Sequence, residues 1–548
     1  MPNPSIKNVH FEASYIKLLT IISLCCLGFI VYSDTSLNAF HFDDYPSIVT
    51  NSSIKNLANL KAIWNFWPTR FITYLSIAFN YHFHQLDVRS YHLFNLVVHL
   101  GSAILAWWFV ILTFSTPGMK DKKITQQVYF ISFFVGLVFV THPIQTQGVT
   151  YIIQRATSMA SLFYLASLSL YVKSRLLQCE KSTSGLRRFY YCGSLITAIM
   201  AMFTKEIAIT LPLVIWLYEF SFLRTKTSFN WRRPIPFLYI MLIVPLTMLF
   251  TKTVNFGEMR RLAEPSPNIS PLHYLLTQFR VIVTYIRLLF VPLNQNLDYD
   301  YPIARTLLDL PMLASLLFLV SIFIFAIRIF RNHRLISFSI FWFFLTLLPE
   351  SSIIPIKDVI SEHRLYLPMV AYSIFLVSTM YYFLVKHALK SMLIVMIMII
   401  TCYSLLTYAR NAVWRDEVTL WSDVIRKSPR KAEAYNNRGA ALYLDAGNFD
   451  QALSDFNKAI EIYPRYVDAY SNRGNVYADK LNFDQALSDY NKAIGIDHNF
   501  GHVYYNRAVA YFEKQEYNKS WEDIHKAEEL GFKANTEFLK KLKEASGR

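Results

Sequence analysis

The chain has 548 residues, 53% of them hydrophobic, 16% aromatic and only 17% charged. That is too apolar for a soluble protein of this length, and several runs reach the roughly 17–25 apolar residues that cross a bilayer. The net charge of +16 does not indicate nucleic-acid binding: from Arg415 onward 20 basic residues face 21 acidic ones, so the excess lies among the apolar runs, where topology-setting charge belongs.

Tyr15–Ser33 is the first apolar run. No cleavage-site pattern accompanies it, so it is read as a retained span. Tyr91–Phe114, Phe189–Phe203, Ile235–Phe250 and Leu307–Phe330 follow. Basic clusters poor in acids separate the runs. They are Lys7 with Lys17; Lys120, Lys122 and Lys123; Lys173, Arg175, Lys181, Arg187 and Arg188; Arg224, Lys226, Arg232 and Arg233; Arg328, Arg331 and Arg334; and Lys386 with Lys390. By the positive-inside rule these segments are cytosolic. The loops of mixed charge are then external: Asp34–Ser90, the turns at His142 and Lys205-Glu206, Val254–Thr306 and Pro349–Tyr366. Pro271–Val291 breaks the alternation if it crosses, and is read as an interfacial or re-entrant helix on the external side. About eleven crossings remain, with the N-terminus cytosolic and everything after about Tyr408 external. The cysteines, Cys25, Cys26, Cys179, Cys192 and Cys402, are not placed to pair or to ligate a metal.

The C-terminal part is repetitive. Phe449-Asp450-Gln451-Ala452-Leu453-Ser454-Asp455 recurs as Phe483-Asp484-Gln485-Ala486-Leu487-Ser488-Asp489, and a weaker copy begins at Tyr517. The 34-residue period is that of tetratricopeptide repeats, helical hairpins that must stack to bury their apolar faces. The expected division is a membrane domain over 1–410 and an external array over 411–548. Within the array lie a half-repeat at 414–429 and repeats at about 432–465, 467–499 and 501–533. The fold class is therefore all-α: a polytopic helical bundle followed by an α-solenoid.

The external turns hold the chemistry. Asp43 and Asp44 follow the first span, where paired acids are costly unless used. Arg70, His142, Arg155, Lys205, Glu206, His363 and Arg364 fall on the same expected side. Cations at membrane depth suit an anionic phosphate, and a carboxylate beside them can take a proton from an incoming hydroxyl. Together these describe sugar transfer from a lipid phosphate. Plainer readings stand beside this one. The acids can cap a helix, Lys205-Glu206 can close a hairpin, His142-Pro143 can stop a helix, and Arg155 and Arg364 can snorkel to headgroups. His82, His84, His92 and His99 share no helical face well, and no metal is expected there. In the array, Asn437, Asn472 and Asn506 recur on the first helix of each repeat, where an amide ladder can pair with an extended peptide backbone.

The run Phe42-Asp43-Asp44…Asn51, then His142-Pro143-Ile144-Gln145-Thr146-Gln147…Arg155, Lys205-Glu206, Asn296-Leu297-Asp298-Tyr299 and Glu362-His363-Arg364-Leu365-Tyr366-Leu367-Pro368, resembles the transmembrane and tetratricopeptide-containing O-mannosyltransferases. The resemblance covers nearly the whole chain. It implies a bundle of the glycosyltransferase C type, a dolichyl- or polyprenyl-phosphate sugar donor and a protein Ser/Thr hydroxyl acceptor. It also implies an inverting reaction in which the first-loop acid, Asp43 with Asp44 beside it, is the base. Arg155, Lys205, Glu206, His142, His363 and Arg364 would serve the donor, and the repeats the acceptor. Members often carry Glu where this chain has Gln147, which puts acceptor binding in question. No cofactor is implied, and a divalent metal is left open. The alternatives are a non-enzymatic membrane scaffold and a lipid-pyrophosphate-dependent glycan ligase. A short array and no external cysteines favour a bacterial inner membrane with periplasmic repeats over an endoplasmic reticulum membrane with luminal ones.

Overall fold

The computed structural model describes residues 4–179, 183–224, 232–251, 269–384, 389–444 and 447–548, the side chains of 4–14 and 179 excepted. Lys181, Lys226, Lys386, residues 254–268 of the loop read as external, and the side chains of Lys7 and Cys179 lie outside the described residues. Every regular element among the described residues is helical. The chain divides into two compact units: Met1–Leu297 with Tyr301–Arg415, and Asp298–Asp300 with Asp416–Arg548.

In the first unit, five helices are long and apolar enough to cross a membrane: Val88–Phe114, Lys123–Thr141, Glu206–Leu223, Leu310–Ile329 and Leu389–Trp414. Shorter apolar helices are Tyr15–Val31, Ile235–Phe250, Arg334–Leu347 and Pro368–Leu384. A helix satisfies every backbone N–H and C=O within its own segment, which hydrocarbon demands. Pro271–Phe290 falls in neither group. Its buried Tyr274, Gln278, Val281, Tyr285 and Leu288 form one stripe, while Arg287 and Phe290 are exposed. Ser270 caps it, accepting from His273 N at 3.2 Å.

Small residues bring these helices close. A Cβ on Gly28 would collide with Leu100, and one on Gly136 with Leu24. Ser167 and Ser194 exchange reciprocal hydroxyl-to-carbonyl bonds of 2.8 and 2.7 Å across the Arg155–Cys179 and Ser184–Met202 helices. The Phe71–His84 helix is pinned to the turn before Lys205, where Ile72 N donates to Phe203 O at 3.0 Å and Thr73 Oγ1 to Thr204 O at 2.8 Å. That junction places Arg70 beside Glu206.

The second unit is a stack of helical hairpins: Ala432–Leu444 with Phe449–Ile462, Val467–Asp479 with Phe483–Ile496, and Gly501–Glu513 with Tyr517–Glu529. Glu417–Lys427 precedes them and Thr536–Ser546 closes the end. Inside each hairpin an arginine grips an aspartate through two bonds: Arg438 with Asp455, Arg473 with Asp489 and Arg507 with Asp523. The same guanidinium reaches the preceding helix, at Ser422, Asn457 and Asn491 respectively. Gly439 and Gly474 leave room for the rings of Phe456 and Tyr490.

Candidate functional site

The loop after the first helix is held at both ends. Asn38 Nδ2 donates to Asn411 O at 3.4 Å, and Asn411 Nδ2 donates to Val31 O at 3.1 Å. His41 Nε2 meets Trp414 O at 2.6 Å. Between them a tight turn runs from His41 to Asp44, with Phe42 at a φ of 41°, a left-handed conformation costly for a bulky residue.

Asp44 closes this turn and is fully buried. Its Oδ2 accepts from His41 N at 3.0 Å and its Oδ1 from Ile153 N at 2.8 Å. Burial nevertheless pushes its carboxyl up to about 7. With both oxygens turned to backbone, Asp44 positions the loop. The expectation that it shares the chemistry with Asp43 is corrected on that ground.

Asp43, unlike Asp44, is exposed. Its N–H donates to the Tyr151 hydroxyl at 2.9 Å, and that hydroxyl also bonds its carboxylate. Burial raises the carboxyl above its ordinary range, and the Tyr151 bond pulls it back down. Asp358 raises it further, while Lys357 and Arg70 lower it.

Arg70 forks onto Glu206, with Nη2 at 3.1 Å from Oε2, and lies over the Trp67 ring at 4.5 Å. Thr69 Oγ1 donates to Glu206 Oε1 at 2.8 Å. Lys205 Nζ sits 3.3 Å from Glu350 Oε1 and donates to Thr157 Oγ1 at 2.8 Å. Arg364 is buried and gives its donors to the carbonyls of Asp358, Val359 and Glu350 and to the Tyr274 hydroxyl. It shapes the 350–359 loop instead of presenting a free guanidinium. His363 N donates to Gln147 Oε1 at 2.6 Å. Burial, then Lys205, Arg364 and Arg70, hold the His363 ring well below its ordinary range, so it is neutral. Its Nδ1 is buried without a hydrogen-bond partner.

Two expected donor-binding residues face elsewhere. Arg155 is fully buried and gives its donors to Asn95 Oδ1, Asn80 Oδ1, Ser76 O and Tyr91 O at 2.5–3.3 Å. Its donors are spent on protein acceptors and it does not snorkel; it ties three helical segments together. His142 accepts from Ile144 N at Nδ1, so Nε2 carries the proton and donates to Leu289 O at 2.9 Å. It is a buried turn cap. Lys205, Glu206, His363 and Arg364 are brought into one neighbourhood with Asp43, joined by Arg70, Glu350, Lys357, Asp358 and Tyr151. The last four carry no pattern of their own: Glu350, Lys357 and Asp358 fall within one short loop between apolar runs, and nothing in the sequence marks Tyr151. Among the described residues, no group of three His, Cys, Asp or Glu is placed to hold a metal ion.

In the repeats the three asparagines do not form one ladder. Asn472 Nδ2 donates to Asn436 Oδ1 at 3.0 Å and Asn506 Nδ2 to Asn475 Oδ1 at 3.0 Å. Asn437 Oδ1 accepts from Asn436 at 3.2 Å, and its own Nδ2 has no partner. A polar pocket of about 490 Å³ lies in the first hairpin, lined by Tyr435, Arg438, Asp455, Asn457, Lys458 and Glu461 among others, and not by these asparagines.

Comparison with known proteins adds to this geometry. Profiles described as TPR repeat and tetratricopeptide repeat match residues 442–480 and 467–500. The Drosophila melanogaster protein O-mannosyl-transferase Tmtc3 is 25% identical over 535 residues, covering 84% of this chain and 57% of that protein. Human TMTC3 is 25% identical over 497 residues, covering 81% and 52%. This chain is similar to the TMTC protein O-mannosyl-transferases along most of its length. A Caenorhabditis elegans relative, protein O-mannosyl-transferase F38B6.6, is 24% identical and covers 82% of the chain and 62% of that protein. The chain thus spans between half and two thirds of the length of these TMTC relatives. With its apolar helices it is a multi-pass membrane protein. The relatives named are animal proteins, so the preference for a bacterial inner membrane finds no support.

Proposed function

We propose that the chain is a membrane glycosyltransferase that moves a mannose-like sugar from a polyprenyl- or dolichyl-phosphate to a protein Ser or Thr hydroxyl. The observation that carries this reading is that Arg70 and Lys357, from two separate loops, lie within electrostatic reach of Asp43 on a third. Asp43 takes the hydroxyl proton as the oxygen bonds to the anomeric carbon. The bond from that carbon to the phosphate oxygen breaks, and the electron pair leaves with the lipid phosphate. Attack opposite the leaving group inverts the anomeric centre. Arg70, Lys357 and Lys205 offset the phosphate charge, while Glu206 and Glu350 hold Arg70 and Lys205 in place.

Two apolar pockets of about 260 and 490 Å³ suit the lipid tail. The first lies among Leu289, Phe318, Phe343 and Tyr372, and the second runs from Phe279 and Phe323 to Ser351 and Ile353, next to Glu350. The basic clusters favour an extracytoplasmic position for Asp43. The polar pocket of the repeats suits an acceptor segment. The similarity to proteins named O-mannosyl-transferases supports the choice of sugar. A scaffold reading leaves the strained, clamped loop at Asp43 without a purpose.

The test is to incubate purified full-length protein with radiolabelled polyprenyl-phosphate hexoses and follow soluble sugar release and transfer to Ser/Thr peptides. Turnover of the mannose donor is expected, with a loss of roughly 10²–10⁴-fold in Asp43→Asn at unchanged melting temperature. An inert wild type, or full activity in Asp43→Asn, overturns the reading.

A further inference from the structure

Tyr151 lies opposite Asp43 across 108 residues of sequence and touches it twice. The backbone N–H of Asp43 donates to the phenol oxygen at 2.9 Å, and the phenol donates to the Asp43 carboxylate. This two-point contact fixes both the peptide and the side chain. Behind it, the Tyr151 ring stacks on Trp414, with centroids 5.4 Å apart and planes at 28°. The other side of the loop uses the same tryptophan: the His41 ring meets it edge-on at 5.8 Å, and His41 Nε2 meets its carbonyl. Trp414 is fully buried, and its indole N–H has no hydrogen-bond partner. A buried donor left unsatisfied costs about 1–3 kcal/mol. That cost is tolerated where the ring, and not its N–H, is what the position needs. The φ of 41° at Phe42, directly before Asp43, is a second strained feature in the same turn.

We propose that Tyr151 is the positioning residue of Asp43, and that Trp414 is the platform that holds Tyr151 and the Asp43 loop in register. The inference rests on the reading of Asp43 as the base, and extends it to two residues that no motif singled out. The phenol keeps its proton, since burial and the two acids beside it push it well above the ordinary tyrosine range. It therefore remains a donor to the carboxylate across the working pH range. The charged and titratable groups facing Asp43 are Tyr151, Asp44, Tyr74, Arg70, Lys357 and Asp358. Of these, Tyr151 is the largest influence pulling the carboxyl down. Its removal moves the Asp43 carboxyl upward, and with it the acid limb of the pH–rate profile.

The experiment compares full-length wild type with Tyr151→Phe, Trp414→Ala, Trp414→Phe and Asp43→Asn. The Asp43 carboxyl band is titrated by infrared difference spectroscopy, with Asp43→Asn identifying the band. Hydrolysis and transfer of a polyprenyl-phosphate [³H]mannose donor are followed against pH. In Tyr151→Phe the band and the acid limb are expected to move up together, and kcat to fall roughly ten- to hundredfold at little change in KM. Trp414→Ala is expected to reproduce the shift, and Trp414→Phe, which keeps a stacking ring, to restore it. An Asp43 band that titrates unchanged in Tyr151→Phe overturns the inference whatever the activity. Full activity in Asp43→Asn overturns instead the assignment of the base.

Discussion

Asp44 and Ile153 lie 109 residues apart and are joined by one hydrogen bond, 2.8 Å from the Ile153 nitrogen to the Asp44 carboxylate. That bond, with its partner from His41, makes the buried acid a latch for the loop that presents Asp43. The latch titrates. The folded carboxyl stands at about 7 against an ordinary value of 3.8. Below pH 4 the acid is protonated in the folded and open states alike. Between about 4 and 7 only the open state loses its proton, so stability falls as pH rises through that window. The protection of the Ile153 amide against hydrogen exchange, corrected for intrinsic rate, is expected to be greater at pH 5 than at pH 8. In Asp44→Asn the difference is expected to vanish. A wild-type protection that rises with pH contradicts the sign.

Arg155 yields a prediction of the opposite character from the one its sequence context invites. Its removal leaves Asn80, Asn95, Ser76 O and Tyr91 O without their donor. Arg155→Met is expected to destabilise the membrane unit by about 1–3 kcal/mol for each buried asparagine oxygen left unsatisfied. Arg155→Lys should rescue little, because one ammonium cannot span a fork of four acceptors. Thermal unfolding in detergent measures this. A normal melting temperature with a raised KM for the lipid donor would return Arg155 to the phosphate.

Gln147 accepts from His363 N through Oε1. A glutamate keeps that acceptor and strengthens the bond by its charge. Gln147→Glu is therefore expected to fold normally and to raise the His363 pKa, since the anion opposes the neighbouring Lys205, Arg364 and Arg70. Histidine NMR titration reads the shift. Gln147→Leu, which removes the acceptor, should lose about 1–3 kcal/mol of stability.

In the repeats, Gly447, Leu481 and Gln515 occupy equivalent turns with φ of 58°, 59° and 62°. Only the first has the residue this conformation favours. Leu481 is 76% exposed and has little packing to lose. Leu481→Gly is expected to stabilise its hairpin by roughly 0.5–1 kcal/mol, the relief of left-handed strain outweighing added chain entropy. Hydrogen exchange across 467–496 tests it, and faster exchange in the variant counts against it.

The pattern of these outcomes follows from what a linear chain displays. Apolar runs and the 34-residue period are local, and they announced the helices and the hairpin array directly. Asp43 stands out in the sequence because paired acids beside a span are costly. Arg155 and His142 were misplaced because their partners, Asn80, Asn95 and Leu289, are 60 to 147 residues away. A cation at the start of a helix looks the same whether it faces a ligand or four carbonyl and amide oxygens. Glu350 and Tyr151 were passed over for the converse reason. A lone acid in a short loop and a tyrosine in an apolar stretch acquire meaning only from Lys205 and Asp43, which the fold brings to them.

The clasp between the first loop and the end of the last apolar helix bears on how the molecule is made. Asn38 and His41 leave the ribosome early, while Asn411 and Trp414, each 373 residues further on, leave it late. At about 5–20 residues per second the gap is on the order of 20–75 s. For that interval the loop carrying Asp43 has its contacts to Tyr151 and Ile153 but lacks the clasp from Asn411 and Trp414. Completion of the last helix is thus the step that closes the clasp on the first loop.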